Sequence, residues 1–115
     1  MTKEYQLNEV DDATIKIGLL VRNTIKTLNS QKKITPQIVL WLSSKKYCKD
    51  TFDINYPFLK KVVNEKSIGP QRKINGYDRY WKDILIVDNE SYLMCNDWYE
   101  RNRTKFTRWS NNIHQ

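Results

Sequence analysis

Bond-making chemistry would have to come from histidine, cysteine, paired carboxylates or a phosphate-cradling loop, and the spacing of these residues supports none of it. The only histidine is His114, beside the C-terminus, where nothing holds an imidazole in place. That sets aside histidine-dependent nucleophilic triads and a conventional zinc site. Asp83, Asp88, Glu90 and Asp97 are the carboxylates a two-strand, metal-dependent nuclease would use, together with a lysine on the adjacent strand. Ser91 and Tyr92 follow Glu90, so no Glu-x-Lys occurs, and Asp88 and Glu90 read as turn residues. Three glycines in the chain leave no Gly-rich phosphate loop. Cys48 and Cys95 match no metal-ligand spacing and read as two buried, reduced thiols. The expectation is a non-enzymatic protein with no metal and no cofactor.

What does recur is basic residues interleaved with aromatics. Lys49, Asn55, Tyr56, Lys60 and Lys61 gather around one stretch; Arg72, Lys73, Arg79 and Lys82 gather around another, beside Tyr77, Tyr80 and Trp81. Ammonium and guanidinium groups in such sets neutralise a phosphate backbone, and asparagine can make paired bonds to adenine. Lys49, Lys60 and Lys61 suit phosphate contacts that orient without reading sequence. Plainer readings stand beside these. Asn55 equally suits a helix N-cap, and the second set suits a solvated hairpin with Tyr80 and Trp81 partly buried. Arg101, Arg103, Lys105 and Arg108 suit an exposed helix face.

The charge balance favours a polyanionic partner. The chain carries 20 basic and 13 acidic residues, a net charge of +7. Residues 1–12 hold Lys3 against Glu4, Glu9, Asp11 and Asp12, a balance of −3, so the remainder carries 19 basic and 9 acidic side chains, or +10. Four Trp, seven Tyr and three Phe in 115 residues argue for one folded domain rather than disorder. The mean hydropathy of −0.76 and the lack of any apolar run near the roughly 20 residues of a bilayer span point to a cytoplasmic chain without a membrane segment.

Short elements have to position these residues. After a lead-in over 1–11, Asp11 or Asp12 caps a first helix whose apolar stripe is Ile17, Leu20, Val21, Ile25 and Leu28. Gly18 within it implies a close neighbour, and Arg22 and Lys26 form a basic pair on another face. Thr35-Pro36 starts a second helix by N-cap and N1 chemistry, with Ile38, Val39 and Leu42 inward and Trp41 at a boundary. A short third helix runs through Tyr47 to Phe52 and ends at a corner, Asp53-Ile54. Asn55 as cap and Pro57 in the first turn then predict a further helix, with Phe58, Leu59, Val62 and Val63 inward. Residues 64–76 read as a basic loop leaving through Asn75-Gly76. Tyr77 to Val87 and Ser91 to Cys95 form a β-hairpin around Asp88-Asn89-Glu90. Asp97 caps a last helix lined on one side by Tyr99, Phe106, Trp109 and Ile113, with Arg101, Lys105 and Arg108 on another.

In that order, over residues 12–112, the elements resemble the winged helix-turn-helix superfamily. The resemblance is carried by Thr35-Pro36, the corner Asp53-Ile54-Asn55-Tyr56-Pro57 and the hairpin Tyr77–Cys95. Asn55-Tyr56-Pro57-Phe58-Leu59-Lys60-Lys61, then Arg79-Tyr80-Trp81, then Asn96 to Asn102 are also similar to small DNA-recognition modules of prokaryotic restriction and mobile-element proteins. It implies an α+β winged-helix-like domain over 12–113, with a recognition helix at 55–64 and a wing at 77–95. Two departures stand out. Asp53 occupies a corner where glycine is frequent, and the closing helix is long and aromatic, so either it covers the core or Trp98 and Trp109 form a contact surface. The expected function is binding of double-stranded DNA, helix in the major groove and hairpin on the backbone. Alternatives are a small phage or mobile-element protein that binds a protein partner through the Trp-rich C-terminal helix, and RNA binding through stacked aromatics.

Overall fold

The computed structural model describes residues 15–114. The lead-in 1–11 and the Asp11 or Asp12 cap lie outside the described residues, as does the side chain of His114. The elements are α1 (Ile17–Ser30), α2 (Pro36–Leu42), α3 (Lys45–Phe52), β1 (Leu59–Lys61), α4 (Ile68–Gln71), β2 (Lys73–Ile74), β3 (Tyr77–Asp78), β4 (Tyr80–Val87) and β5 (Glu90–Cys95). A 3-10 turn (Glu100–Asn102) then leads into α5 (Arg103–His114). The chain is α+β. No described helix is long and apolar enough to cross a membrane.

The first three helices form where local chemistry places them. The stripe Ile17, Leu20, Val21, Ile25 and Leu28 is buried along α1. Thr35 Oγ1 accepts from the Ile38 amide to cap α2, and Ser44 Oγ accepts from the Tyr47 amide to cap α3. The orphan amide of Ile17 has a distant partner, donating to Glu100 Oε2 at 3.2 Å. α3 stops at Asp53, whose φ of 64° puts it in the left-handed region that ends many helices.

Residues 55–64 do not form the expected helix. Tyr56 precedes Pro57, which disfavours helical backbone at Tyr56. The amides and carbonyls that follow are taken by other partners. Phe58 N–H donates to Cys48 Sγ at 3.3 Å and Phe58 O accepts from Cys95 N at 2.8 Å. β1 then pairs antiparallel with β5, Leu59 opposite Met94 and Lys61 opposite Tyr92. Val63, expected inward, is exposed.

The sheet has the order β1-β5-β4, and Leu59, Met94, Leu85 and Val87 share its buried face. The β4–β5 hairpin turns on Asp88-Asn89, both at positive φ (51° and 68°), a two-residue loop matched to strand twist. The first strand expected over Tyr77 to Val87 breaks at Arg79. Tyr77 and Asp78 pair instead with Lys73 and Ile74 across Asn75-Gly76, a second two-residue turn. Between Tyr80 and Ile84 the β4 register slips, which carries Trp81 onto α1. A Cβ on Gly18 would lie 3.3 Å from Trp81 Cζ2, so the glycine makes room for the indole.

α5 packs on α1 and α3. Around Phe52 stand Tyr47, Trp98, Phe106 and Trp109, ring centroids 5.3 to 6.4 Å away. Each fully buried ring of this kind stabilises the fold by about 1.5–3 kcal/mol. Trp98 Nε1 donates to Cys95 O and Trp109 Nε1 to Tyr47 Oη, so burial leaves neither donor unpaired.

Candidate functional site

Nine residues were expected to face DNA, and the structure sorts them by position. Lys60 and Lys61 are neighbours on β1, so their side chains leave opposite faces of the sheet. Lys60 Nζ donates to Gln71 O at 2.7 Å and lies 5.6 Å from the Tyr80 ring centroid. Lys61 pairs with Glu90 at 3.1 Å. Neither occupies a helix, and the two cannot follow one phosphate track.

The other seven converge. Arg79 sits at the break between β3 and β4, where its N–H donates to Arg72 O and its own carbonyl accepts from Asn96 N. Its guanidinium is held between two rings, 5.6 Å from the centroid of Tyr56 and 5.4 Å from that of Tyr77. Arg79 Nε is buried without a hydrogen-bond partner, so ring contacts and the Asp97 carboxylate at 3.7 Å hold the group. On one flank lies Asp78, which takes Lys73 at 2.9 Å and Arg72 at 3.6 Å. These cations, with Lys82 nearby, hold the Asp78 carboxyl below its ordinary range, Lys73 most of all. Arg72 Nε also donates to Tyr80 O, fixing the guanidinium.

On the other flank Asp97 Oδ1 accepts from Tyr99 Oη at 3.1 Å, and Arg101 covers the Tyr99 ring at 4.8 Å. Arg101 then reaches Asp53 at 3.6 Å, and Asp53 takes Lys49 at 2.8 Å. Lys49 also donates to Asn55 Oδ1, so Asn55 accepts a lysine rather than capping a helix. Lys49 foremost, then Lys105 and Arg101, hold the Asp53 carboxyl below its ordinary range. The result is a continuous strip from Lys73 through Arg79 and Arg101 to Lys49. It carries seven cations (Lys49, Arg72, Lys73, Arg79, Lys82, Arg101, Lys105) against three carboxylates (Asp53, Asp78, Asp97).

Several sequence expectations need correction here. Asp97 does not cap the last helix; it bridges Arg79 and Tyr99. Tyr99 is 50% exposed rather than part of the apolar side of α5. Tyr80 is fully buried, its hydroxyl donating to Pro57 O, whereas Trp81 is half-buried beneath Arg22, as the plainer reading of the hairpin expected. Trp98 and Trp109 are 7% and 6% exposed, so they belong to the core and offer no contact surface. Asp83 pairs with Arg22 and Lys26, and Glu90 with Lys61, so the strand carboxylates are spread over separate partners.

Tyr99, Arg101 and Lys105 were the missed members of the strip, and a signal existed for the first two. Tyr77-Asp78-Arg79 and Tyr99-Glu100-Arg101 repeat one Tyr-x-Arg spacing, and in each the guanidinium lies against the ring two residues before it. Comparison with known families, with characterised proteins and with solved structures finds no match for this chain.

Proposed function

We propose that this protein is a non-enzymatic DNA-binding module that lies along the phosphate backbone through the Lys73–Arg79–Arg101–Lys49 strip. A groove-inserted helix at 55–64 is not part of the proposal, because that stretch holds no helix and its one regular element is the strand Leu59–Lys61. The observation that carries it is the excess of cations over carboxylates along one connected surface, interleaved with tyrosine rings. The pairs of Asp53 with Lys49 and Arg101 and of Asp78 with Lys73 are exposed, and such pairs contribute only about 0–1 kcal/mol each. Phosphate oxygens can therefore replace these two carboxylates at little cost, while the nearly buried Asp97 stays with Arg79, and counterion release from DNA drives the exchange.

Fluorescence anisotropy with a short mixed-sequence duplex tests this. Binding is expected at about 50 mM salt and should weaken steeply by about 200 mM. Lys49→Gln, Lys73→Gln and Lys105→Gln should each lower affinity and reduce the salt slope by about 0.9. Lys61→Gln, on a different face, should change neither. A chain that binds no duplex at the lower salt concentration does not have this function.

A further inference from the structure

Tyr77 and Tyr99 do something that phosphate neutralisation does not require. They are 65% and 50% exposed, while Tyr80 is buried in the same neighbourhood. Each has an arginine against its ring, Arg79 at 5.4 Å and Arg101 at 4.8 Å. One carboxylate oxygen, Asp97 Oδ1, ties the pair together by taking Arg79 and the Tyr99 hydroxyl. The rings are thus pinned at a fixed place on the cationic strip while much of their surface stays open.

We infer that Tyr77 and Tyr99 are stacking platforms for unpaired bases, so that the preferred ligand of the strip is DNA with a single-stranded segment. The inference rests on the DNA-binding reading above and narrows its ligand. Inside a duplex the base faces are covered by neighbouring pairs and only edges reach the grooves. A splayed single strand offers both faces, and every base has one that an aromatic ring can meet. Rings already held by guanidinium groups lose little side-chain freedom on stacking, which favours binding. Lys73 beside Asp78 and Lys49 beside Asp53 supply cations at the two ends of the strip for the backbone of such a strand.

The test compares a single-stranded DNA oligomer, a blunt duplex of the same sequence and an RNA oligomer, using the whole chain. A second readout places 2-aminopurine, whose fluorescence falls on stacking, in the single strand. The single-stranded DNA should bind at least about fivefold tighter than the blunt duplex, with quenching of the 2-aminopurine. Tyr77→Leu and Tyr99→Leu should each lose most of that preference and the quenching, with single-strand affinity falling more than duplex affinity, and Tyr77→Phe should keep both. Equal affinity for single strand and duplex, or leucine variants that quench like the wild type, overturns this inference and leaves the backbone-binding module standing. A preference for the RNA oligomer overturns the choice of DNA. Failure of every nucleic acid to bind overturns both readings.

Discussion

Asp53 sits among Lys49, Arg101 and Lys105 as a carboxylate that these three cations share. Its φ of 64° is tolerated by asparagine nearly as well as by aspartate, so Asp53→Asn removes the charge and keeps the corner. If phosphate takes the place of this carboxylate, the variant should bind DNA about two- to fivefold tighter at low salt, with a salt slope steeper by up to about one. Unchanged or weaker binding by anisotropy would mean that Asp53 does not compete with the ligand. The same carboxyl links charge to stability. Lys49 lowers its pKa in the fold, so its contribution is present above the unfolded carboxyl value and is lost as pH falls through the folded one. Acid titration should therefore destabilise the wild type more than Asp53→Asn. At this scale the sequence was readable at Thr35, but the caps expected at Asn55 and Asp97 are replaced by contacts to Lys49 and to Arg79 and Tyr99. Thr35 and Ser44 act within three residues of themselves, whereas Lys60 and Arg79 acquired their roles from Gln71, Tyr56 and Asp97, distant in sequence.

Among elements, the joint that aligns the strip is Asn102, the one polar residue buried among those described. Its Nδ2 donates to Phe52 O at 2.9 Å and Asp53 O at 3.3 Å, and its Oδ1 accepts from Tyr99 N at 2.8 Å. One side chain thus satisfies carbonyls at the end of α3 and fixes the backbone that presents Tyr99 and Arg101. Asn102→Ala leaves those buried groups unpaired and should cost about 1–3 kcal/mol in urea unfolding. Asn102→Asp should cost more, because a carboxylate would face two carbonyl oxygens with no donor. Should both variants unfold like the wild type, the joint is not a stabilising one. Asn102 meets Tyr99 three residues away, but its bonds to Phe52 and Asp53 gave no local signal, since those partners lie 50 and 49 residues away. The misreading of 55–64 has the same origin. Phe58, Leu59, Val62 and Val63 fit a helical stripe, but pairing with β5 and the bond that Phe58 N–H donates to Cys48 Sγ fix that backbone as extended. Gly18, by contrast, did foretell a close neighbour, although not that the neighbour would be Trp81.

For the molecule as a whole, β5 is the central strand of the three-stranded sheet, flanked by β1 and β4 and reading Leu93, Met94 and Cys95 as a continuous buried run. The two edges are short or irregular: β1 has three residues, and β4 is bulged with Asn29 donating to Ile86 O. Both features discourage pairing with another chain. Both thiols sit in this interior. Cys48 Sγ accepts from Phe58 N, and Cys95 Sγ from Asp97 N. Burial pushes Cys48 up to about 11 and Cys95 up to about 12, against about 8.5 for an exposed thiol. The folded state therefore keeps these protons after the unfolded chain has released them. The stability this confers is complete below the unfolded thiol value and is lost as pH rises from there toward the folded values. The expected loss is about 1.4 kcal/mol per pH unit for each thiol once the unfolded chain is ionised. Urea unfolding at successive pH values above 8 should show this decline. A Cys48→Ala/Cys95→Ala variant, less stable at neutral pH because of the small cavities, should fall with a shallower slope over the same interval. Identical slopes would mean that these thiols are not the groups linking this core to alkaline pH.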